Sequence, residues 1–407
     1  MKVLAAIVIP PHLKASGAVN AAIAMSRSLQ RHCEIDLALM SETTEQSHLD
    51  GLRVFKRRST TPIDFTAKWL PNKFRTLFYR SDIASLVGQY DLVHLHNAIP
   101  ALEMKRIARA CLRQNIPYVL TTHGFVEIFG IDSAYQLNPL EAIAGRCFVR
   151  RPVEFVIEHA VRICCLAPQD KSLLAQSGVR PEKMVVIPNG VAKSFYSEPS
   201  PQDIADVCAK FKLPSEKSHA LPVCFFLANH TRNKGLDILL EAFTQTSRPY
   251  LLIVGGKKRD FDYNAYQNKT KSNQRILFTD LLSDSEIRAL HHYSDLFVFP
   301  SRADTLPLVV LEAMAAARPV LSTRVGGIPF QIDDSCGRLV DPENVLALRE
   351  AFEALTSDPE RLRSMGLAAL AKVKAEFDWD RSAAKTYDLY CEVMQPLHRP
   401  QVALIPA

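Results

Sequence analysis

The chain has 407 residues, 47% hydrophobic and 23% charged, with a net charge of +6. That length exceeds the ~250–300 residues at which one hydrophobic core stops growing, so two domains are expected. The mild charge and the absence of a Lys/Arg-only tract speak against nucleic acid as a partner and favour an anionic substrate or surface.

Nine cysteines (Cys33, Cys111, Cys147, Cys164, Cys165, Cys208, Cys224, Cys336 and Cys391) form an odd set without a CxxC pair. Free thiols fit this better than a disulfide framework or a zinc site. No run approaches the ~20 apolar residues that span a bilayer. Val3–Ile9 is followed at once by Pro10 and Pro11 and reads as a first buried strand rather than a leader. The expectation is a cytoplasmic protein, with peripheral attachment at the inner face of a membrane left open.

In chain order, short apolar runs alternate with helix-period segments, the pattern of a parallel sheet covered by helices. The first set of predicted strands is Val3–Ile9, Ile35–Leu39, Leu92–Leu95, Tyr118–Thr121, Ile163–Leu166 and Met184–Ile187. The second is Val223–Leu227, Tyr250–Val254, Ile276–Phe278, Leu296–Phe299 and Pro319–Thr323. The fold class is therefore α/β with two doubly wound halves. The boundary is placed at Pro188–Gly190, ahead of a polar stretch with Pro199, Pro201 and Pro214. Residues 1–188 form the first domain and 189–377 the second, and helices within 378–407 are expected to pack back on the first. Ligands of such sheets bind beyond the carboxyl ends of the strands, where loops lead into helix N-termini.

At one such edge, the strand Leu296–Phe299 precedes Pro300-Ser301-Arg302-Ala303-Asp304-Thr305-Leu306-Pro307 and a helix expected to run to about Ala317. Pro307 suits the first helical position, and Pro319 prevents much continuation. That helix is apolar on nearly every side, which marks it as buried, and Glu312 is its only charge before Arg318. A buried carboxylate needs donors, and a ribose diol offers two. Asp304, in the loop, can bind sugar hydroxyls, and the free N–H groups at Leu308 and Val309 suit a diphosphate. The plainer alternative is a solvent-facing Glu and an ordinary turn Asp.

A second edge follows Val223–Leu227. Lys234 stands just before a helix starting near Gly235, so lysine charge and helix dipole together favour a diphosphate. In the first domain Gly17 precedes the helix Val19–Leu29 and permits close backbone approach of a phosphate, though a lone Gly usually marks only a turn.

The Asp304–Glu312 stretch resembles the signature of the family 4 retaining glycosyltransferases: a Pro-Ser pair, an acid, and a second acid eight positions later followed by Ala-Met. Pro188-Asn189-Gly190-Val191, Lys234-Gly235-Leu236-Asp237, Val325-Gly326-Gly327-Ile328-Pro329 and Phe377-Asp378-Trp379 resemble further motifs of that family, in the same order. The likeness is strong over about Val161–Tyr390 and thinner before it. It implies a GT-B fold, two Rossmann-like domains facing across a cleft, with donor on the second and acceptor on the first. It also implies transfer of a sugar from a nucleotide-sugar to a glycan or lipid-diphosphate-linked acceptor with retention of configuration, in surface polysaccharide biosynthesis. His123 resembles the family's histidine at the transfer centre. The family also places an arginine five or six positions before the lysine of its phosphate motif; here those positions hold Asn229 and Ala228, and the nearest candidate is Arg232.

The sequence departs from the family in four other places. Asp304 replaces the usual Glu, Thr305-Leu306-Pro307 replace a Gly-rich turn, Ala317 stands where a glycine usually ends the helix, and Phe330 stands where an acid often follows Gly-Ile-Pro. Donor choice is the property these changes touch. The rival readings are a dinucleotide oxidoreductase, which lacks its GxGxxG turn, a sugar-nucleotide epimerase, and a GT-B protein that binds without catalysis.

Asp260-Phe261-Asp262 and Asp378-Trp379-Asp380 match the D-x-D pattern of metal-dependent transferases, but so short a pattern arises by chance. No metal or other cofactor is expected, and His94 and His96 read as structural. Arg53–Arg80 carries eight basic residues against Asp64, interleaved with aromatics. This segment is a candidate for contact with anionic lipid or a lipid-linked acceptor.

Overall fold

The computed structural model describes residues 1–11, 17–61, 77–97, 99–121, 123, 143–214, 221–258 and 262–395. The chain divides into two compact units, one formed by Met1–Asn189 with Trp379–Ala407 and the other by Gly190–Asp378.

In the first unit β1 (Lys2–Ile7), α1 (Gly17–Leu29), β2 (Glu34–Ser41), β3 (Glu45–Leu49), β4 (Leu52–Thr60), β5 (Arg80–Ser81) and β6 (Leu92–His96) are followed by α2 (Ala101–Arg113), β7 (Tyr118–Thr121), α3 (Arg151–His159), β8 (Arg162–Cys165), α4 (Pro168–Gln176) and β9 (Met184–Val186). The sheet order is β3-β4-β2-β1-β6-β7-β8-β9, with β5 paired to β4. It is parallel except where β3 and β5 run against β4. β1 is buried along all but its first residue, as a central strand covered on both faces requires.

β4 carries the first half of the basic segment. Its cations meet acids from neighbouring strands and loops: Arg53 pairs with Asp36, Lys56 with Glu45 at 3.0 Å, and Arg57 with Asp82 at 3.4 Å. Local sequence shows one acid there, whereas the fold brings up four, Glu34 being the second partner of Arg53 at 3.8 Å. Residues 62–76, with Asp64, Lys68, Lys73 and Arg75, lie outside the described residues.

The second unit holds α5 (Pro201–Phe211), β10 (Val223–Leu227), α6 (Leu236–Gln245), β11 (Tyr250–Gly255), α7 (Tyr263–Gln267), β12 (Gln274–Phe278), α8 (Asp284–Tyr293), β13 (Leu296–Phe299), α9 (Leu308–Ala315), β14 (Val320–Thr323), α10 (Ile328–Gln331), β15 (Gly337–Val340), α11 (Val345–Thr356) and α12 (Pro359–Glu376). Its sheet is β12-β11-β10-β13-β14-β15, and all its pairings are parallel. The order reverses between β10 and β13, so the chain leaves these neighbours in opposite directions and opens a crevice at their carboxyl ends.

The last helix, α13 (Trp379–Met394), belongs to the first unit. Asp380 pairs with Arg31 and accepts from Ser28 Oγ at 3.2 Å, fixing α13 to α1. Tyr390 is fully buried, with its hydroxyl 2.5 Å from His94 Nδ1.

The nine cysteines are free thiols, and six of them are buried. Among the described residues no helix is long and apolar enough to cross a membrane.

α9 ends as its sequence leads one to expect, but with strain. Ala317 adopts φ 56, the left-handed conformation that glycine takes without a Cβ penalty. Ala317→Gly is expected to stabilise the second unit by about 0.5–1 kcal/mol, readable as a higher denaturant midpoint at unchanged slope. The gain is below the bare left-handed penalty because glycine also loosens the unfolded chain.

Candidate donor site

The crevice between β10 and β13 gathers the loop 228–235 and the loop 300–307. Lys234 lies in a short 3-10 turn that ends at Gly235 in the left-handed conformation (φ 70). A Cβ on Gly235 would sit 1.9 Å from the Pro300 carbonyl oxygen, so only glycine lets the two loops touch here. Lys234 Nζ is 2.7 and 2.9 Å from the two carboxylate oxygens of Asp304, and Ser301 Oγ donates to Asp304 Oδ2 at 2.6 Å. The predicted diphosphate lysine and the predicted sugar carboxylate, 70 positions apart, thus form an ion pair.

The loop after β14 closes the third side. Gly326 lies so near the Asp304 carbonyl that a Cβ would fall 1.7 Å from its oxygen, and Gly327 N–H donates to the Thr305 carbonyl at 2.8 Å. Pro307 is the residue before α9 rather than its first member, and its carbonyl is held by Gln331 Nε2 at 3.0 Å. No side chain caps this end of α9, which leaves the first N–H groups, at Leu308 and Val309, without a capping side chain. Thr305 and Leu306 are buried, and Thr305 Oγ1 has no partner among the described residues.

Glu312 sits half-buried on α9 between Leu311 and Ala313, both fully buried. Among the described residues no hydrogen bond or ion pair satisfies its carboxylate. Burial, with a smaller repulsion from Asp284, pushes its pKa up to about 7. A half-buried acid with no protein partner can take a ligand that supplies donors.

Asn229 and Arg232 are exposed on the first loop. Asp237, the last residue of the Lys234-Gly235-Leu236-Asp237 motif, is the partner of Arg302 in the loop before α9, and their bond is at 2.7 Å. An arginine two residues before an acid, at a strand edge, was the local signal for it. Its second partner, Glu343, had no such signal, because 41 positions separate the two. A cavity of about 520 Å³ opens elsewhere on this unit, along β15 and α11 among Arg324, Arg338 and Arg361, and no predicted site residue lines it. Its volume alone does not make it the site, since neither loop at the β10/β13 switch point contributes to its lining.

Asp262 caps α7 by accepting from Ala265 N–H at 3.1 Å, and Asp260 lies outside the described residues. With Asp380 held by α1, both D-x-D matches contain an acid with a structural task.

In the first unit His123 lies beyond the end of β7, half-buried, with burial pulling its pKa down to about 4. Its ring stacks on His96 at 6.0 Å between centroids. His94 is bonded to Thr121 Oγ1 at 2.7 Å as well as to Tyr390, while His96 has neither ring nitrogen partnered among the described residues. Gly124 lies outside the described residues. At Gly17 a Cβ would meet nothing described within 4 Å, so no described neighbour demands glycine there.

Comparison with known proteins places this architecture. A family model described as "Glycosyl transferases group 1" matches residues 186–371, and one described as "Glycosyltransferase Family 4" matches residues 15–195. D-inositol 3-phosphate glycosyltransferase of Arthrobacter sp. (strain FB24) is 26% identical over 318 residues, covering 74% of this chain and 70% of that protein. Alpha-maltose-1-phosphate synthase of Mycolicibacterium smegmatis is 28% identical over 305 residues, covering 70% and 75%.

Among solved structures, sucrose-phosphate synthase from Thermosynechococcus elongatus superposes with a TM-score of 0.72 at 21% identity, over 97% of this chain and 99% of that one. Anabaena HepE in complex with UDP-glucose gives 0.71 at 17% identity, over 96% and 100%. The two parallel-sheet units and their likeness to these structures show a GT-B fold of two Rossmann-like units, and the family matches make the chain a glycosyltransferase. The two family matches together run from residue 15 to residue 371, and the chain belongs to the family 4 glycosyltransferases.

Proposed function

We propose that this enzyme transfers a sugar from a nucleotide-sugar to a glycan or lipid-linked acceptor with retention of anomeric configuration, in the making of a surface polysaccharide. The observation that carries the donor reading is the contact of Lys234 with Asp304 at the β10/β13 switch point, with Glu312 unpaired on the helix that follows the Asp304 loop.

In this reading the Glu312 carboxylate accepts from the two ribose hydroxyls, and the uncapped start of α9 and Lys234 take the diphosphate. Lys234 must leave Asp304 for the phosphate, and the freed Asp304 carboxylate then accepts from hydroxyls of the transferred sugar. The bond from the anomeric carbon to the diphosphate breaks as the bond to the acceptor oxygen forms on the same face. The acceptor proton passes to the departing diphosphate oxygen, so no side-chain nucleophile is needed. His123 keeps the role toward the transferred sugar that the family likeness implies. No metal enters this scheme, because lysine charge and helix dipole supply the stabilisation.

The relatives' names support the class of donor and leave base, sugar and acceptor to experiment. Thermal unfolding is to be followed with UDP, GDP, ADP and their sugars, and turnover then measured with the best binder, with and without acceptor. One nucleotide is expected to raise the midpoint by several degrees at a hundredfold excess over Kd. No shift with any of them would overturn the donor reading, and product formed without acceptor would favour an epimerase.

A further inference from the structure

Arg302 lies in the loop after β13, two residues before Asp304, and its side chain is 15% exposed. A guanidinium has five N–H donors in a rigid fork. Here all five are engaged. Nη1 donates to the Arg232 carbonyl at 2.6 Å and to Asp237 Oδ1 at 2.7 Å. Nη2 donates to Asp237 Oδ2 at 2.8 Å and to Glu343 Oε2 at 2.9 Å, and Nε donates to Glu343 Oε1. The Arg302 backbone N–H donates to the Asn233 carbonyl at 2.7 Å.

These acceptors bracket one residue. Arg232 and Asn233 precede Lys234, and Asp237 follows it in the first turn of α6. Glu343, in the turn after β15, anchors the other prong from a backbone with φ 62. Its hydrogen bonds to Arg302 hold the Glu343 carboxyl below the ordinary range. Burial pushes Asp237 up, but its hydrogen bonds and charge contact with Arg302 outweigh that and hold it low as well. With every donor occupied, Arg302 has none for a phosphate, so it is no substitute for a direct phosphate ligand.

We propose that Arg302 is a positioning residue that straps the backbone on both sides of Lys234, so that the ammonium is held where the donor diphosphate lies. The inference rests on the donor reading above. A lysine on a flexible four-carbon stem gains most from such a strap, since the backbone freedom it would lose on binding is already gone. A lysine at position 302 supplies three donors without the planar fork and cannot engage Asp237 and Glu343 bidentately.

The test measures binding of the nucleoside diphosphate that the full chain prefers, by calorimetry, in four proteins: the parent, Arg302→Lys, Lys234→Ala and the double variant. If Arg302 acts through Lys234, Arg302→Lys weakens binding about tenfold in the parent and less than twofold in the Lys234→Ala background. An equal loss in both backgrounds, or none in either, overturns the inference while the donor reading stands. A parent chain that binds no nucleotide overturns the donor reading, and this inference with it. Should Arg302→Lys not fold, Glu343→Gln, which removes one charged anchor, takes its place. A loss of about threefold that vanishes in the Lys234→Ala background is then expected, and an equal loss in both backgrounds again overturns the inference.

Discussion

Glu312→Ala is expected to weaken nucleotide binding ten- to a hundredfold at pH 8 and to lower turnover at least as much. Two hydrogen bonds from ribose hydroxyls to a carboxylate are worth about 1.5–3 kcal/mol together in a half-buried site, which sets that range. The raised pKa of Glu312 adds a pH signature. Only the ionised form accepts both hydroxyl protons, so nucleotide affinity should climb as pH rises through about 7 and level off above it.

Stability of the free protein should run the other way. A carboxyl whose folded pKa is raised above the ordinary 4.5 contributes fully below that value, and the contribution is lost as pH rises through about 7. Glu312→Gln should therefore stabilise the unliganded protein above pH 7 by about 1–2 kcal/mol, less than the full shift implies because solvent reaches the carboxylate. Calorimetric titration at pH 6 and pH 8, with unfolding curves at both, checks the two halves. A parent affinity that is flat across this range would remove Glu312 from the ribose.

The Lys234–Asp304 pair makes the second large prediction, because its two members should respond in opposite directions. Lys234→Ala takes a cation from the diphosphate and leaves Asp304 with Ser301 as its remaining described donor. A fall of about 10²–10³ in kcat/KM is expected, with most of it reappearing as weaker nucleotide binding. Asp304→Asn instead removes the group that competes with phosphate for the ammonium. Free nucleoside diphosphate should then bind a few-fold tighter, while sugar transfer falls about a hundredfold. If both substitutions weaken nucleotide binding alike, the exchange of partners on Lys234 is wrong.

Much of the architecture was legible because buried parallel strands are continuous apolar runs. Tyr118–Thr121, Val223–Leu227 and Leu296–Phe299 match the observed strands residue for residue. β3 and β4 were missed for the complementary reason. EQSHL and LRVFKRRST are polar, and they hold their places because β4 pairs with β2, β3 pairs with β4, and the cations of β4 meet Asp36 on β2 and Glu45 on β3. β15, four residues at the sheet edge, escaped because an edge strand needs little apolar surface.

At the donor site, residues such as Asp304, Glu312 and Lys234 stood out through their spacing from strand ends. What no local pattern contained was the contact of Lys234 with Asp304. The Lys234–Asp304 ion pair and the Arg302 fork arise only once β10 and β13 are neighbours.

The return of α13 to the first unit has a consequence for the order in which the chain takes shape. Synthesis delivers all of Gly190–Asp378 before the helix that carries Tyr390. Until then His94, in the middle of an otherwise finished sheet, lacks the hydroxyl that meets its Nδ1, and α1 lacks the acid that holds Arg31. The half made first is thus the half completed last, and a gene fragment encoding only residues 1–189 would produce a sheet with one helical cover missing. Separate expression of this domain calls for a permuted chain that joins Trp379–Met394 to it, rather than for a simple truncation.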